Sequence, residues 1–347
     1  MRPTPRLLAP AALLATAALA GCGGSSDSTS DTSSAADSGP TTTKLSLVAY
    51  STPQVVYDDA GPAFKATTAG KGVQVSGSFG ASGDQSRSVL NGANADVVAF
   101  SLEPDMTKLV KPGLVADDWN SGPNKGFVSN SVATFVVRKG NPKNITTWDD
   151  LIKPGVKVIT PNPFSSGSAK WNLLAGYGAK SDGGKDPAAG LAYVKTLLTK
   201  NVKQQPASGR DASSAFTTGD ADVLISYENE AITLQQKGAK VDYVTPDATI
   251  LIQNPIAVTA KSKHPEQAKA FVDYLLSKPG QEIFAKHGYR PVDDAVLQEH
   301  ATEFPQPKGI FTIDDLGGWS KVNDEFFDPD KGSIAKIEQD AGVSTSK

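Results

Sequence analysis

Short apolar runs alternate along the chain with longer stretches in which apolar residues return every three or four positions. The runs Leu45 to Tyr50, Val73 to Phe79, Asp96 to Phe100, Val132 to Val137, Val156 to Thr160, Val223 to Tyr227 and Ile256 to Thr259 predict strands. Residues 54 to 68, 84 to 91, 168 to 177, 187 to 199, 211 to 218 and 228 to 237 carry helical spacing. Several of these stretches close at glycine (Gly92, Gly178, Gly219, Gly238), where a residue free to take positive φ is expected to stop the helix. Further on, Pro265 to Ser277 and Pro279 to Lys286 predict helices that begin at proline, which the first helical position tolerates. Strand and helix in alternation predict an α/β fold, a sheet covered by helices.

The first residues depart from this pattern. Arg2 and Arg6 precede a run of Ala, Leu and Pro that ends at Leu19-Ala20-Gly21-Cys22 and is too short to span a bilayer. A basic start, an apolar middle and small residues before the cleavage point predict a signal peptide over 1–21. Cys22, the single cysteine of the chain, is then the expected site of lipidation. Residues 22–43, rich in Gly, Ser, Thr and Asp, hold too few apolar groups to fold and predict a flexible tether to a membrane. The expected location is extracytoplasmic, with the protein anchored to the cell membrane as a lipoprotein.

Of 347 residues, 34 are Lys or Arg and 37 are Asp or Glu. Without Arg2 and Arg6 the formal charge is −5, which argues against a nucleic-acid surface. A lone cysteine excludes an intramolecular disulfide and a thiolate metal cluster. His264, His287 and His300 sit in polar helical surroundings that suggest surface or capping roles, and no metal site or cofactor is expected. Neither a G-x-S-x-G elbow nor a P-loop lysine motif occurs. Glu228 and Glu230, two apart on a predicted helix, do not face one another as a catalytic carboxylate pair requires. Trp148, Trp171 and Trp319 read as packing residues.

Gly80-Ala81-Ser82-Gly83, Pro163 to Ser168 and Ala207-Ser208-Gly209-Arg210 share one local design, a Ser/Gly loop that opens a helix. Ser51-Thr52-Pro53, directly after the first strand, is a fourth case. Such a turn leaves the first N–H groups of the helix unpaired, where the macrodipole places partial positive charge, so an oxyanion fits there. Each loop alone is an ordinary helix cap. Four in one α/β chain point to a ligand beyond the carboxyl ends of the strands.

Three further stretches bear on identity: Val137 to Pro142, Trp148 to Val156, and Val158 to Pro163. With Ala221 to Ile225, Glu228 to Ala231, Gly288 to Pro291, Phe311 to Asp315 and Gly317 to Trp319, the chain resembles the sulfate-binding proteins of bacterial ABC importers over nearly all of residues 44 to 325. The resemblance implies a two-lobed, type II periplasmic binding protein fold with the ligand in the inter-lobe cleft. Lobe 1 is expected over 44–132, lobe 2 over 133–252, a return to lobe 1 over 253–325 and a tail over 326–347. Position by position, the implied ligand contacts are Ser51, Ser82, Ser166, Gly167, Ser168, Gly209 and Tyr227, with Arg210 bracing its loop from behind.

The resemblance also implies sulfate as ligand, permease subunits as partners, a monomer and no enzymatic activity. Thiosulfate, phosphate and molybdate or tungstate are the competing ligands, and a secreted sulfate or phosphate ester hydrolase is the competing class. The chain has Tyr227 where the family has Trp, and Phe164 and Lys170 where it has Lys and Arg. Asp84 and Asp211 stand near the loops, where negative charge in the first turn of a helix is favoured.

Overall fold

Strand β1 (Thr43–Tyr50) is the centre of one half of the fold: its odd residues Leu45, Leu47 and Ala49 point into one core, and Val48 into another. That alternation is the period-two signature of a strand covered on both faces. The computed structural model describes residues 42–345; Cys22 and the leader lie outside them. Parallel to β1 run β2 (Val73–Gly80) and β3 (Val97–Ala99), one on each side. The other half is built around β5 (Val158–Ile159), with β6 (Val202–Gln204) and β7 (Val223–Tyr227) parallel to it on either side. Its strands alternate too: Phe135, Val223 and Ile225 enter one core, and Val136, Ile159 and Leu224 the opposite one.

Two long antiparallel strands join the halves: β4 (Phe127–Arg138) and β9 (Ala248–Val258). The remaining strands are β8 (Val241–Val244), which pairs with β4, and β10 (Gly309–Phe311), which pairs with β9. Ser131 to Val132 of β4 pair with Leu251 to Ile252 of β9, while from Ala133 onward β4 pairs with β7. In the same way the end of β9, Ile256 to Val258, pairs with β3. The sheet order is β2-β1-β3-β9-β4-β7-β5-β6.

The sequence predicts β4 only over 132–137 and the last strand only over 256–259, and both are longer. Their missing parts hold Ser129, Asn130, Ser131, Gln253 and Asn254, which break the apolar pattern. These polar side chains partly satisfy one another, as where Ser129 Oγ donates to Asn254 Oδ1 at 3.2 Å. Gly178 does not end its helix; it lies inside Gly167–Lys180, where a Cβ would stand 2.2 Å from the Phe311 ring. Gly219 follows its helix with φ −96°, so no positive φ is involved there, whereas Gly92 and Gly238 do take φ of 97° and 81°. The residues expected as a tail from 326 fold instead: Phe326, Phe327 and Ile334 are buried in the same core as Phe135 and Trp171, and Ser333–Asp340 is a helix.

Candidate anion-binding site

All four predicted loops lie at the carboxyl ends of strands or just beyond them, and each starts a helix. Strand β1 delivers Ser51 to the Gln54–Lys65 helix, and β2 delivers Ala81 to the Ser82–Leu90 helix. Beyond β5 the chain reaches Ser166, the N-cap of Gly167–Lys180; beyond β6 it reaches Ser208, the N-cap of Gly209–Thr218. The N-cap side chain of Ser208 accepts from Asp211 N–H at 3.1 Å and donates to the Asp211 carboxylate at 2.8 Å.

The four helix starts converge. Gly83 N–H donates to the Ser165 carbonyl at 3.2 Å, which joins a loop of the first half to a loop of the second. A Cβ on Gly209 would lie 3.2 Å from both Ser168 Oγ and the Thr52 methyl carbon, so the third loop touches the second and the fourth. Arg210 closes the ring: Nη1 donates to Gln54 Oε1 at 2.5 Å and Nη2 to the Ser51 carbonyl. Arg210 therefore ties the start of the Gly209–Thr218 helix to the end of β1 and to the first turn of the Gln54–Lys65 helix. Gly167 is required by proximity, since a Cβ there would stand 2.8 to 2.9 Å from Leu102 and Ser101 Oγ.

Each side chain has a defined posture. Ser166 Oγ and Ser168 Oγ are 2.7 Å apart and both residues are buried. Ser82 Oγ donates to Asp105 Oδ2 at 2.7 Å and accepts from Ser101 N–H at 3.0 Å, so its hydroxyl is committed, as is Gly83 N–H to the Ser165 carbonyl. Tyr227 hydroxyl lies 2.8 Å from Ser101 Oγ. Burial pushes the Tyr227 phenol well above its ordinary range, which keeps it a neutral hydroxyl. Asp84 pairs with Arg87 and Asp211 accepts from Ser208 Oγ, so each carboxylate has a partner on its own helix or N-cap. Glu228 and Glu230 diverge: Glu228 pairs with Arg290 at 2.7 Å, and Glu230 accepts from Ser213 Oγ at 2.8 Å.

Ser101 is the residue that sequence reasoning missed. It follows β3 as Ser51 follows β1, but its neighbours Phe100 and Leu102 carry no glycine to mark a loop. Its carbonyl accepts from Trp171 Nε1 at 2.8 Å and from Asn254 Nδ2 at 3.0 Å, so it ties both halves and the crossing strand β9 to one point. The signal available was positional: a serine two residues beyond a short strand parallel to β1. Trp171 packs edge-on against Trp319 at 4.7 Å, as a core residue. Among the described residues no group of His, Cys, Asp and Glu is placed to hold a metal.

Chemically, this is a cradle of donors. The first N–H groups of a helix have no intrahelical acceptor, and four helix starts with Ser hydroxyls suit a dianion that carries no proton. Two halves joined by crossing strands, with helix starts gathered at the ends of their parallel strands, define the type II binding-protein fold. A model of the family described as bacterial extracellular solute-binding protein matches residues 45–290, and the chain belongs to that family.

Among its relatives, a sulfate-binding protein of Synechococcus elongatus is 40% identical, with 97% of each chain covered. That of Escherichia coli is also 40% identical, over 82% of this chain and 90% of its own. The solved sulfate-binding protein SubI of Mycobacterium tuberculosis superposes with a TM-score of 0.81 at 52% identity, covering 82% of this chain and all of that one. Iron-bound HitA of Pseudomonas aeruginosa, at 19% identity and a TM-score of 0.61, shares the fold.

Proposed function

We propose that the cradle binds sulfate and that the protein delivers it, outside the cytoplasm, to an ABC permease for import. The observation that carries this reading is the meeting of helix starts from both halves, marked by the Gly83 to Ser165 contact and the Arg210 clasp on Ser51. A hydrogen bond to a charged group contributes about 1.5 to 3 kcal/mol net, so about seven offset a large dehydration cost and leave affinity near a micromolar Kd, about −8 kcal/mol. The donors in this reading are the N–H or hydroxyl groups of Ser51, Ser82, Ser166, Gly167, Ser168 and Gly209. Tyr227 takes part through its own hydroxyl or through Ser101. Names of the 40%-identical relatives support sulfate. A thiosulfate-binding protein of Pseudomonas aeruginosa at 32% identity makes thiosulfate the competitor to test.

The reading includes a lipid on Cys22, a monomer, no catalytic turnover, and two lobes that meet across β4 and β9. Lobe 1 spans 44–132 and returns from 253, while lobe 2 spans 133–252 and is joined by the C-terminal helices packed into its core. Equilibrium dialysis of the purified protein with radiolabelled sulfate tests it. Saturable one-to-one uptake, displaced by thiosulfate only at higher concentration, is the expected result; no uptake, or ester hydrolysis by the pure protein, overturns it.

A further inference from the structure

The cradle is bordered by a second chamber. Its volume is about 70 Å³, and its walls include Ser166 and Gly167 of the cradle, the cations Arg87, Lys108 and Lys170, and the carboxylate of Asp105. Outside lies an open groove of about 720 Å³ that shares Arg87, Lys108, Phe164 and Lys170 as walls and runs on to Phe327 and Asp328. The shared wall makes groove and chamber neighbours, and the chamber abuts the Ser166–Gly167 turn.

The three cations differ in their partners. Arg87 pairs with Asp84, and Lys108 with Asp105 at 3.0 Å. Lys170 Nζ instead donates to the neutral Asn323 Oδ1 at 2.8 Å and lies 4.7 Å from the centre of the Phe327 ring. It makes no ion pair among the described residues, so its charge is uncompensated at contact distance. Lys170 stands four residues beyond Ser166, one turn along the helix that forms the cradle wall.

We propose that Arg87, Lys108 and Lys170 form an outer anion site, a vestibule that captures a doubly charged tetrahedral oxyanion before it passes to the cradle, with Lys170 as the charge that draws it in. This rests on the reading of the cradle as an oxyanion site. A cleft with low-dielectric walls concentrates the field of an unpaired charge and raises the association rate of an oppositely charged ligand. The charged groups facing Lys170 are Arg87, Asp105 and Lys108 on one side and Asp324 and Asp328 across the groove. Burial, assisted by Lys108 and opposed by Asp105, holds Lys170 down to about 8. Its charge is therefore present at neutral pH and lost as pH rises through that value.

Stopped-flow tryptophan fluorescence with sulfate tests this on the wild type, Lys170→Met and Lys170→Arg. At about 10 mM ionic strength the Met variant should associate at least about threefold more slowly, with the gap closing near about 0.5 M salt and dissociation changed less than about twofold. Above pH 8 the wild-type association rate should fall to that of the Met variant, while Lys170→Arg stays fast. The wild-type pH profile needs no substitution, so a variant that fails to fold does not block the test. Wild-type binding with an association rate flat through pH 8 and the same salt slope in the Met variant overturns the vestibule alone. Absence of wild-type sulfate binding overturns the functional reading and the vestibule with it.

Discussion

Arg210 and Ser51 join the two halves of the fold: the guanidinium at the start of the Gly209–Thr218 helix donates to the carbonyl at the end of β1. The same guanidinium reaches Gln54 Oε1 at 2.5 Å, so one side chain from the second half holds the loop and first helix of the other. Both bonds have a charged donor, which makes them stronger than bonds between neutral groups. The contact spans the two halves, so a change in their separation would reach the Ser51 loop through Arg210.

Arg210→Ala should therefore weaken sulfate binding by about tenfold or more, since hydrogen bonds to a charged group are worth about 1.5 to 3 kcal/mol. Titration calorimetry gives the affinity, and small-angle scattering with saturating sulfate should show a less complete closure than in the wild type. An unchanged dissociation constant would assign the clasp a purely structural part.

Gly167→Ala places a methyl group 2.8 to 2.9 Å from Leu102 and Ser101 Oγ. Overpacking of this size costs about 1 to 3 kcal/mol, and here it acts where the loops of the two halves meet. Affinity should fall by at least about tenfold. The melting temperature measured without sulfate should move by a few degrees at most if the strain is confined to the closed form.

Tyr227→Phe removes the partner of Ser101 Oγ at 2.8 Å. Ser101 N–H still holds Ser82, and its carbonyl still holds Trp171, so the fold should survive. The expected loss is about 1 to 3 kcal/mol of binding free energy, read by calorimetry. Asp84→Asn and Asp211→Asn, whose carboxylates pair with Arg87 and cap a helix, should change affinity little.

Glu338, in the helix Ser333–Asp340, gives the chain a pH-dependent stability. It is 1% exposed, accepts from Gln205 Nε2 at 2.6 Å and has no cationic partner among the described residues. Burial pushes its carboxyl up to about 7 from an ordinary 4.5. A raised pKa in the folded state stabilises fully below the unfolded value, and that contribution is lost as pH rises from 4.5 through 7. The loss is about 3 kcal/mol at most. Thermal melts between pH 5 and 8 should show the wild type declining and Glu338→Gln flatter; equal slopes would remove Glu338 from the account.

The sequence made the cradle legible loop by loop, because Ser/Gly turns before helical periodicity have a local cause. What it concealed was the joining of the halves. Ser129, Asn130 and Asn254 look like loop residues, yet they sit in β4 and β9 where the strands cross, Ser129 and Asn254 buried and Asn130 half-buried. Ser101 was hidden for the opposite reason, a polar residue in an apolar stretch with no turn signal. The C-terminal residues Phe326, Phe327 and Ile334 pack into a core over 150 positions away in sequence, at Trp171, a pairing no local pattern announces. Sequence periodicity reports which face is buried and stays silent on what covers it.

The anchor at Cys22 has its own test: Cys22→Ala should release the protein from membrane fractions into the soluble one, and a variant still sedimenting with membranes contradicts lipidation there.

The central claim is that neutral donors from both halves hold an anion that brings no proton. Titration calorimetry of the wild type with sulfate and with phosphate, at pH 5.5, 6.5 and 7.5, tests it most directly. Sulfate stays a dianion throughout this range, whereas phosphate loses its second proton near pH 6 to 7, roughly as phosphoester groups do. A sulfate affinity near micromolar and flat with pH, and phosphate far weaker at every pH, is the result expected. Phosphate binding more tightly than sulfate, or sulfate affinity that changes tenfold across the range, would contradict it.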